Sequence, residues 1–265
     1  MKYASLNNQR VLPTKGGKGK CPHCGSDLIA KCGDVNRHHW SHKTRKCDDH
    51  WWENETDWHR DWKNCFPEEW QEVIHFDEVT GEKHIADVKT SEGWVVEFQH
   101  SLLKNDERDS RNNFYKKIVW VVDGARRKND IKHFNEVLEN CDLILKSPPI
   151  ISPYSRVNIK ILDEWYSPNV AVFFDYKTVN DEGERVLWML FPETTDRKRY
   201  LSPISKQAFV EKVSKGFETL FNEVINPIVE EMNRQHRLSG QQKKQTIHPN
   251  ALPRLKRGRR LWLRE

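Results

Sequence analysis

The chain has 265 residues, of which 36% are hydrophobic and 31% are charged, a composition that suits one large or two small globular domains. The longest apolar runs, Ile118–Val122 and Val170–Phe174, are too short to span a bilayer, which excludes a helical membrane protein. The start of the chain lacks a signal-peptide pattern, and its cysteines include a Cys-x-x-Cys spacing. We therefore expect a cytoplasmic protein with reduced thiols and no membrane partner.

The net charge of +5 is unevenly distributed along the chain. Residues 1–47 carry +8, residues 48–240 carry −10 and residues 241–265 carry +7. Basic clusters attract phosphate and carboxylates attract divalent cations, so an acidic middle between basic ends favours a metal-binding centre with arms that attract nucleic acid. Basic tails that only keep the chain soluble would give the same pattern.

A cysteine and histidine pattern follows a basic lead-in, residues 1–20, which we expect to be loosely ordered. The spacing predicts a closed structural zinc site, and a short basic segment without its own apolar core would need that metal to fold. The proposed ligands are Cys21, Cys24, His39 and His42. If the register differs, the alternative ligands are His38, Cys32 and Cys47. Without a metal, the same residues would be free thiols and surface histidines. Residues 1–47 are thus a predicted zinc-knuckle module.

Aromatic residues recur at three- and four-residue spacing over residues 48–66, which predicts a helix with an aromatic stripe. Beside this stripe, Glu55, His59 and Lys63 follow one another at i, i+4 and i+8 and form a polar row. An ordinary surface ladder of charges has the same spacing. Pro67 ends the helix, and a strand over Trp70–Phe76 follows.

The next two strands place two carboxylates on one face of a hairpin. A turn about Glu92 pairs Asp87 with Glu97, and the alternation of side chains puts Gln99 on the same face. Opposed carboxylates repel by a few tenths to about 1 kcal/mol, and a divalent cation between them would reverse the sign. An exposed acidic hairpin without a metal is the alternative.

The remaining elements complete a mixed sheet and extend it. For residues 48–150 the pattern predicts a helix at 104–117, a covered strand at Ile118–Val122, a helix at Ile131–Asn140 and a strand at Asp142–Lys146. Residues 151–238 form a predicted extension with strands at Val157–Leu162, Val170–Thr178 and Val186–Pro192 and a long helix over Pro203–His236, kinked or restarted at Pro227. Residues 239–265 are a predicted basic flexible tail.

In this order the motifs resemble the competence protein CoiA-like family, a branch of the PD-(D/E)XK nuclease superfamily. The resemblance covers roughly residues 21–125. It rests on Cys-x2-Cys, His-Trp-Ser-His, Glu-x3-His-x3-Lys, Ile-Ala-Asp-Val, Glu-Phe-Gln-His-Ser, Arg-x3-Tyr and Val-Trp-Val-Val. The chain departs from the family at Ile85, where arginine is usual, and at Trp40 and Ser41, where phenylalanine and alanine are usual. Neither departure removes a candidate metal ligand.

The resemblance implies an α/β (α+β) fold with a restriction-endonuclease-like core at residues 48–150. It also implies a metal-dependent bacterial DNA endonuclease, acting in foreign-DNA defence or in recombination and competence. Asp87 and Glu97 would hold Mg²⁺ or Mn²⁺, with Glu55 as a further ligand. Gln99 stands where many relatives carry lysine; it has no positive charge and would orient the attacking water. Charge stabilisation would pass to the metal, His59 or Lys63, and His75 and His100 are alternates.

Double- or single-stranded DNA is the expected partner, because phosphate neutralisation dominates affinity. The candidate phosphate contacts are Lys63, Arg111, Lys256, Arg257, Arg259 and Arg260. An arginine on the surface without a ligand is the other interpretation of Arg111. The C-terminal region could form a homodimer or bind a protein partner. The alternative function is a non-catalytic zinc-containing DNA-binding or recombination accessory protein, which Gln99 favours and the Asp87–Glu97 pair opposes.

Overall fold

The protein is described by a computed structural model over residues 1–35, 37–44, 47, 49, 51, 55–167 and 169–246. These residues form two sheets with flanking helices, and the predicted mixed α and β class is confirmed. Within the described ranges, no helix is both long enough and apolar enough to cross a membrane.

A five-stranded antiparallel sheet forms the N-terminal module. Its strands are β1 (Ala4–Leu6), β2 (Gln9–Val11), β3 (Lys18–Lys20), β4 (Asp27–Lys31) and β5 (His39–His42), in the order β2-β1-β3-β4-β5. Trp40 and Leu28 are buried at its centre. A Cβ atom on Gly19 would lie 2.8 Å from the Ala4 Cβ atom, so only glycine fits there. The prediction of a loosely ordered lead-in was wrong, because small residues let β1 and β3 pack closely.

A nine-stranded mixed sheet lies in the remaining described residues. Its strands are β6 (Gln71–Phe76), β7 (Lys83–Lys89), β8 (Val95–Gln99), β9 (Ile118–Asp123), β10 (Cys141–Lys146), β11 (Pro149–Pro153), β12 (Val172–Val179), β13 (Arg185–Leu190) and β14 (Leu201–Ser205). The order is β10-β11-β14-β13-β12-β9-β8-β7-β6, and β9 runs parallel to both β8 and β12. Residues 151–238 therefore extend the sheet that residues 48–150 begin.

Six α-helices of the described residues flank this sheet. They are α1 (Asp57–Lys63), α2 (Asn105–Tyr115), α3 (Lys128–Glu139), α4 (Lys160–Trp165), α5 (Lys206–Leu220) and α6 (Asn226–Thr246). All six residues of β9 are buried, as expected for a strand covered on both faces. Val121 packs in the core with Trp62 of α1, whereas Trp120 packs in the other core with Phe114 of α2.

Three predicted elements differ from the structure. The first helix begins at Asp57, because Thr56 Oγ1 accepts a hydrogen bond from the His59 amide and caps it. The strand predicted over Val157–Leu162 is instead a loop followed by α4, whose buried apolar residues have helical spacing. The long helix predicted from Pro203 starts at Lys206, because β14 continues to the capping residue Ser205.

Candidate functional site

The β7–β8 hairpin has the predicted register, with Val88 opposite Val96. Beyond that pair, side chains replace the backbone ladder. The Asp87 amide donates to Glu97 Oε1 at 3.2 Å, and the Phe98 amide donates to Asp87 Oδ2 at 3.0 Å. Each carboxylate thus binds the backbone of the opposite strand, and the two acidic groups are held side by side.

A cavity beside this hairpin brings most of the predicted site residues together. It is lined by Asp87, Glu97, Glu55, His59, Lys63 and Arg111. Gln99 is not among its lining residues. The carboxamide nitrogen of Gln99 donates to the Ser101 carbonyl and hydroxyl oxygens, at 3.3 and 3.2 Å, further along the chain. The predicted role of Gln99 in orienting water therefore has no support from its position.

The Lys63 ammonium lies inside a group of carboxylates. Its Nζ atom is 2.5 Å from Glu55 Oε1, 2.7 Å from Glu72 Oε1 and 3.8 Å from Asp87 Oδ1. Burial alone would lower the pKa of Lys63, but the three carboxylates outweigh it and raise that pKa. Lys63 is therefore a fixed cation within the cavity. Its side chain is buried, and its contact with DNA phosphate stays a prediction.

Glu72 is a member of this group that the sequence argument did not assign to the site. Its carboxylate accepts the backbone amides of Lys2 at 2.8 Å and Tyr3 at 3.1 Å, in addition to Lys63. Burial would raise the pKa of Glu72, but Lys63 and these donors lower it to about 2. No local pattern marks Glu72, since its donors lie about 70 positions earlier in the chain.

Glu97 is held by Arg111 of α2. Arg111 Nη1 lies 3.1 Å from Glu97 Oε2, and Arg111 Nη2 also donates to the Trp51 carbonyl at 2.9 Å and to Glu107 at 2.5 Å. Burial and the neighbouring Asp87 charge raise the pKa of Glu97 to about 8 in spite of this arginine. Arg111 is itself buried and not on the surface, and its contact with phosphate stays a prediction, as for Lys63.

Glu55 and His59 occupy the entrance to α1. Glu55 precedes the capping residue and is bound by Arg60 and Lys63. Burial opposes ionisation of Glu55, yet Lys63 and Arg60 lower its pKa. The Thr56 backbone amide donates to His59 Nδ1 at 3.3 Å, which completes the capping box. Glu55 and His59 thus reach the cavity because of the helix cap and not because they share a helix face.

A second cluster joins three cysteines and one histidine of the N-terminal module. The donor atoms of Cys21, Cys24, His42 and Cys47 all lie within 4.8 Å of one another. Cys21 Sγ is 3.8 Å from Cys47 Sγ, and Cys24 Sγ is 3.4 Å from His42 Nε2. Zn–S bonds of about 2.3 Å in a tetrahedron place sulfur atoms about 3.8 Å apart. The cluster can therefore hold a metal such as zinc, as the sequence predicted.

One ligand of this cluster differs from the proposed set. His39 lies outside it and its Nδ1 atom is 2.9 Å from the Arg37 carbonyl oxygen. His39 and His42 are three positions apart on β5, and residues at odd separation point to opposite faces of a strand. Cys47, one of the stated alternatives, takes the fourth position. Burial raises the pKa of Cys47 to about 12, so a metal must displace its proton.

The described residues contain two groups with three or more clustered His, Cys, Asp or Glu donors, and the Asp87–Glu97 pair belongs to neither. The other group consists of His23, Asp49 and His84. The predicted phosphate contacts Lys256, Arg257, Arg259 and Arg260 lie outside the described residues. In the described part of the N-terminal module, the exposed basic residues are Arg10, Lys15, Lys18, Lys20, Lys31, Arg37 and Lys43.

Comparison with protein-family models, with curated proteins and with solved structures finds no match for this chain. Inferences about its function therefore rest on the geometry of its own side chains.

Proposed function

We propose that the protein is a divalent-metal-dependent DNA endonuclease with a PD-(D/E)XK-type core, as the resemblance to the CoiA-like family implies. One observation carries the proposal: Asp87, Glu97, Glu55 and Lys63 converge on a single cavity. They are presented by the order helix, three strands, helix, strand, running from α1 to β9. The cellular role would be foreign-DNA defence or recombination in a bacterial cytoplasm.

The donor chemistry of the cavity fits a divalent cation. Asp87 and Glu97 are adjacent carboxylates, and burial together with the Asp87 charge raises the pKa of Glu97 in spite of Arg111. Hard cations such as Mg²⁺ and Mn²⁺ prefer such oxygen donors. Asp87 and Glu97 would hold the ion, and Glu55 would hold it directly or through water. When bound, the metal would activate water and draw charge from the phosphate.

The residues of the chain itself divide the remaining tasks. Arg111 fixes the orientation of Glu97 through the 3.1 Å contact. Lys63 supplies the positive charge that Gln99 cannot, since its ammonium lies 3.8 Å from Asp87 Oδ1. Lys63 would offset the negative charge that gathers when phosphate approaches these carboxylates. The exposed basic side chains of the N-terminal module would draw DNA toward the acidic middle of the chain.

The test is nicking of supercoiled plasmid by the full-length protein with Mg²⁺ or Mn²⁺. The Asp87→Asn variant keeps an oxygen that can accept the Phe98 amide but loses the charge, and we expect its nicking rate to fall by about 100-fold or more. Asp142→Asn, which removes an exposed carboxylate from the edge strand β10, is the matched control and should cut like wild type. Cutting by Asp87→Asn at the wild-type rate would refute the proposal.

A second candidate is a non-catalytic zinc-containing DNA-binding protein that keeps the nuclease fold. The observation that favours it is the Lys63 ammonium, which already neutralises Glu55 and Glu72 and approaches Asp87 without any metal. Under this alternative, wild type shifts DNA in a gel at low salt but leaves plasmid, single-stranded and branched substrates uncut with either metal. Metal-dependent cutting that is lost in Asp87→Asn excludes it.

A further inference from the structure

A buried trio of His23, Asp49 and His84 lies where the N-terminal module meets β7. One donor atom from each residue lies within 4.8 Å of the others. The exposed fractions are 9% for His23, 5% for Asp49 and 2% for His84. The three come from the Cys-x-x-Cys knuckle, from the segment after Cys47 and from the strand that carries Asp87, so nothing in local sequence brings them together.

Both histidines are oriented as metal-bound histidines are. His23 Nε2 lies 2.8 Å from the Lys83 carbonyl oxygen, and His84 Nε2 lies 2.8 Å from Glu82 Oε1. A carbonyl and a carboxylate accept hydrogen bonds, so both Nε2 atoms carry protons. A histidine that binds a metal through one nitrogen usually donates the other N–H to such an oxygen. The two Nδ1 atoms are therefore the nitrogen atoms that remain to bind a shared metal ion.

The Nδ1 atoms are close to further donors. His84 Nδ1 is 2.8 Å from Asp49 Oδ1, and His23 Nδ1 is 3.9 Å from Cys47 Sγ. Nitrogen and oxygen ligands of tetrahedral zinc, with bonds of about 2.0 to 2.1 Å, lie about 3.3 Å apart. A metal would thus enter by displacing the proton between Asp49 and His84 to solvent, with a movement of about half an ångström.

We propose that His23, Asp49 and His84 form a second zinc-type metal site beside the Cys21–Cys24–His42–Cys47 cluster, with the Cys47 thiolate as a ligand shared between the two metals. Two imidazoles, one carboxylate and one thiolate are a donor set that zinc accepts and that Mg²⁺ or Ca²⁺ does not prefer. Asp49 also lines the carboxylate cavity, but metal binding by the trio does not require the proposed nuclease activity. It would fasten the N-terminal module to β7 three positions before Asp87.

The test is the metal content of the full-length protein after loading with Zn²⁺ and removal of unbound ions. Mass spectrometry of the metal should give two zinc ions per chain for wild type and one for His84→Gln and for Asp49→Asn. His39→Gln alters a histidine of the same module outside both groups and should retain two. Circular dichroism of each variant checks that the fold is kept.

Cobalt substitution assigns the ion that is lost. We expect His84→Gln to bind one Co²⁺ fewer than wild type while keeping the thiolate-to-cobalt charge-transfer absorption of the cysteine cluster. The wild-type count does not depend on any variant folding. A single metal per wild-type chain, or an unchanged count of two in His84→Gln and Asp49→Asn, would overturn the proposal and leave the trio as a hydrogen-bonded joint.

Discussion

The carboxylate cavity and the cysteine cluster balance their charges in opposite ways. In the cavity, Lys63 and Arg111 are internal cations that contact four carboxylates of the lining. In the cluster, Cys21 and Cys47 approach each other to 3.8 Å with burial raising both thiol pKa values. The cavity thus carries its own cations, whereas the cysteine cluster has the donor set of a metal site.

The largest effect should follow from removing the metal of the cysteine cluster. Binding of structural zinc to small domains is worth on the order of 10 kcal/mol, which is folding free energy for a module of this size. We expect Cys24→Ser, or a chelator, to abolish hydrogen-exchange protection in β4 and β5. The amides of β8 and β9, beside the cavity, serve as the internal control and should stay protected. Equal loss of protection in both regions would contradict the expected difference between the cysteine cluster and the cavity.

The corresponding test of the cavity is the Lys63→Met variant. Removing one partner of a buried ion pair leaves uncompensated charge, here on Glu55, Glu72 and Asp87, and costs about 3 to 5 kcal/mol. Urea unfolding at neutral pH measures this loss. Lys117→Met is the control, because the ion pair of Lys117 with Glu218 is exposed and should contribute little to stability. Similar losses in the two variants would show that the cavity is not built around Lys63.

A smaller effect is expected in the pH dependence of the free energy of unfolding, to which Glu97 contributes. Its pKa is about 8 in the folded chain against 4.5 as the reference value, so between these limits the folded state holds a proton that the unfolded state has released. The free energy of unfolding therefore falls as the pH rises through this window, by at most about 1.4 kcal/mol per pH unit.

Glu97→Gln removes this contribution because its side chain does not titrate. We expect the variant to gain stability relative to wild type as the pH increases from about 5 to about 8, measured by urea unfolding at several pH values. Asp142→Asn on β10 should follow the wild-type curve. Parallel curves for wild type and Glu97→Gln would mean that Glu97 is ionised throughout.

The smallest effect concerns the helix cap that places Glu55 and His59. Thr56→Ala should cost about 1 kcal/mol, because the His59 amide loses its acceptor. Ser205→Ala, at the cap of α5, should cost a similar amount. If the enzyme proposal holds, Thr56→Ala alone also slows plasmid nicking. Equal nicking by the two variants would mean that the cap stabilises the helix without positioning the cavity residues.

Features encoded by local periodicity were predictable from the sequence. The Val88–Val96 register followed from strand alternation and a Gly-containing turn, and the covered strand β9 followed from its unbroken apolar run. The Cys-x-x-Cys pair likewise indicated the metal cluster. The residues of each of these motifs lie within about a dozen positions of one another, where the backbone itself sets the geometry.

Features that depend on distant contacts were not predictable in this way. The choice of Cys47 over His39 depends on which face of β5 meets the returning chain. Glu72 joins the cavity through the amides of Lys2 and Tyr3. The burial of Lys63 and Arg111 likewise depends on carboxylates supplied by other elements, so a basic residue that looked available for phosphate became an internal counter-ion.

The hydrogen bonds between Glu72 and the first residues of the chain affect whether the N-terminal module can be removed from this protein. Two backbone amides of the N-terminal module, from Lys2 and Tyr3, satisfy a buried carboxylate of the large sheet. Deleting residues 1–47 would leave the buried Glu72 carboxylate without these two hydrogen-bond donors, at a cost of several kcal/mol. The N-terminal module therefore cannot be replaced without destabilising the large sheet. A fusion of the large sheet to another domain would have to keep Lys2 and Tyr3, the two residues before β1.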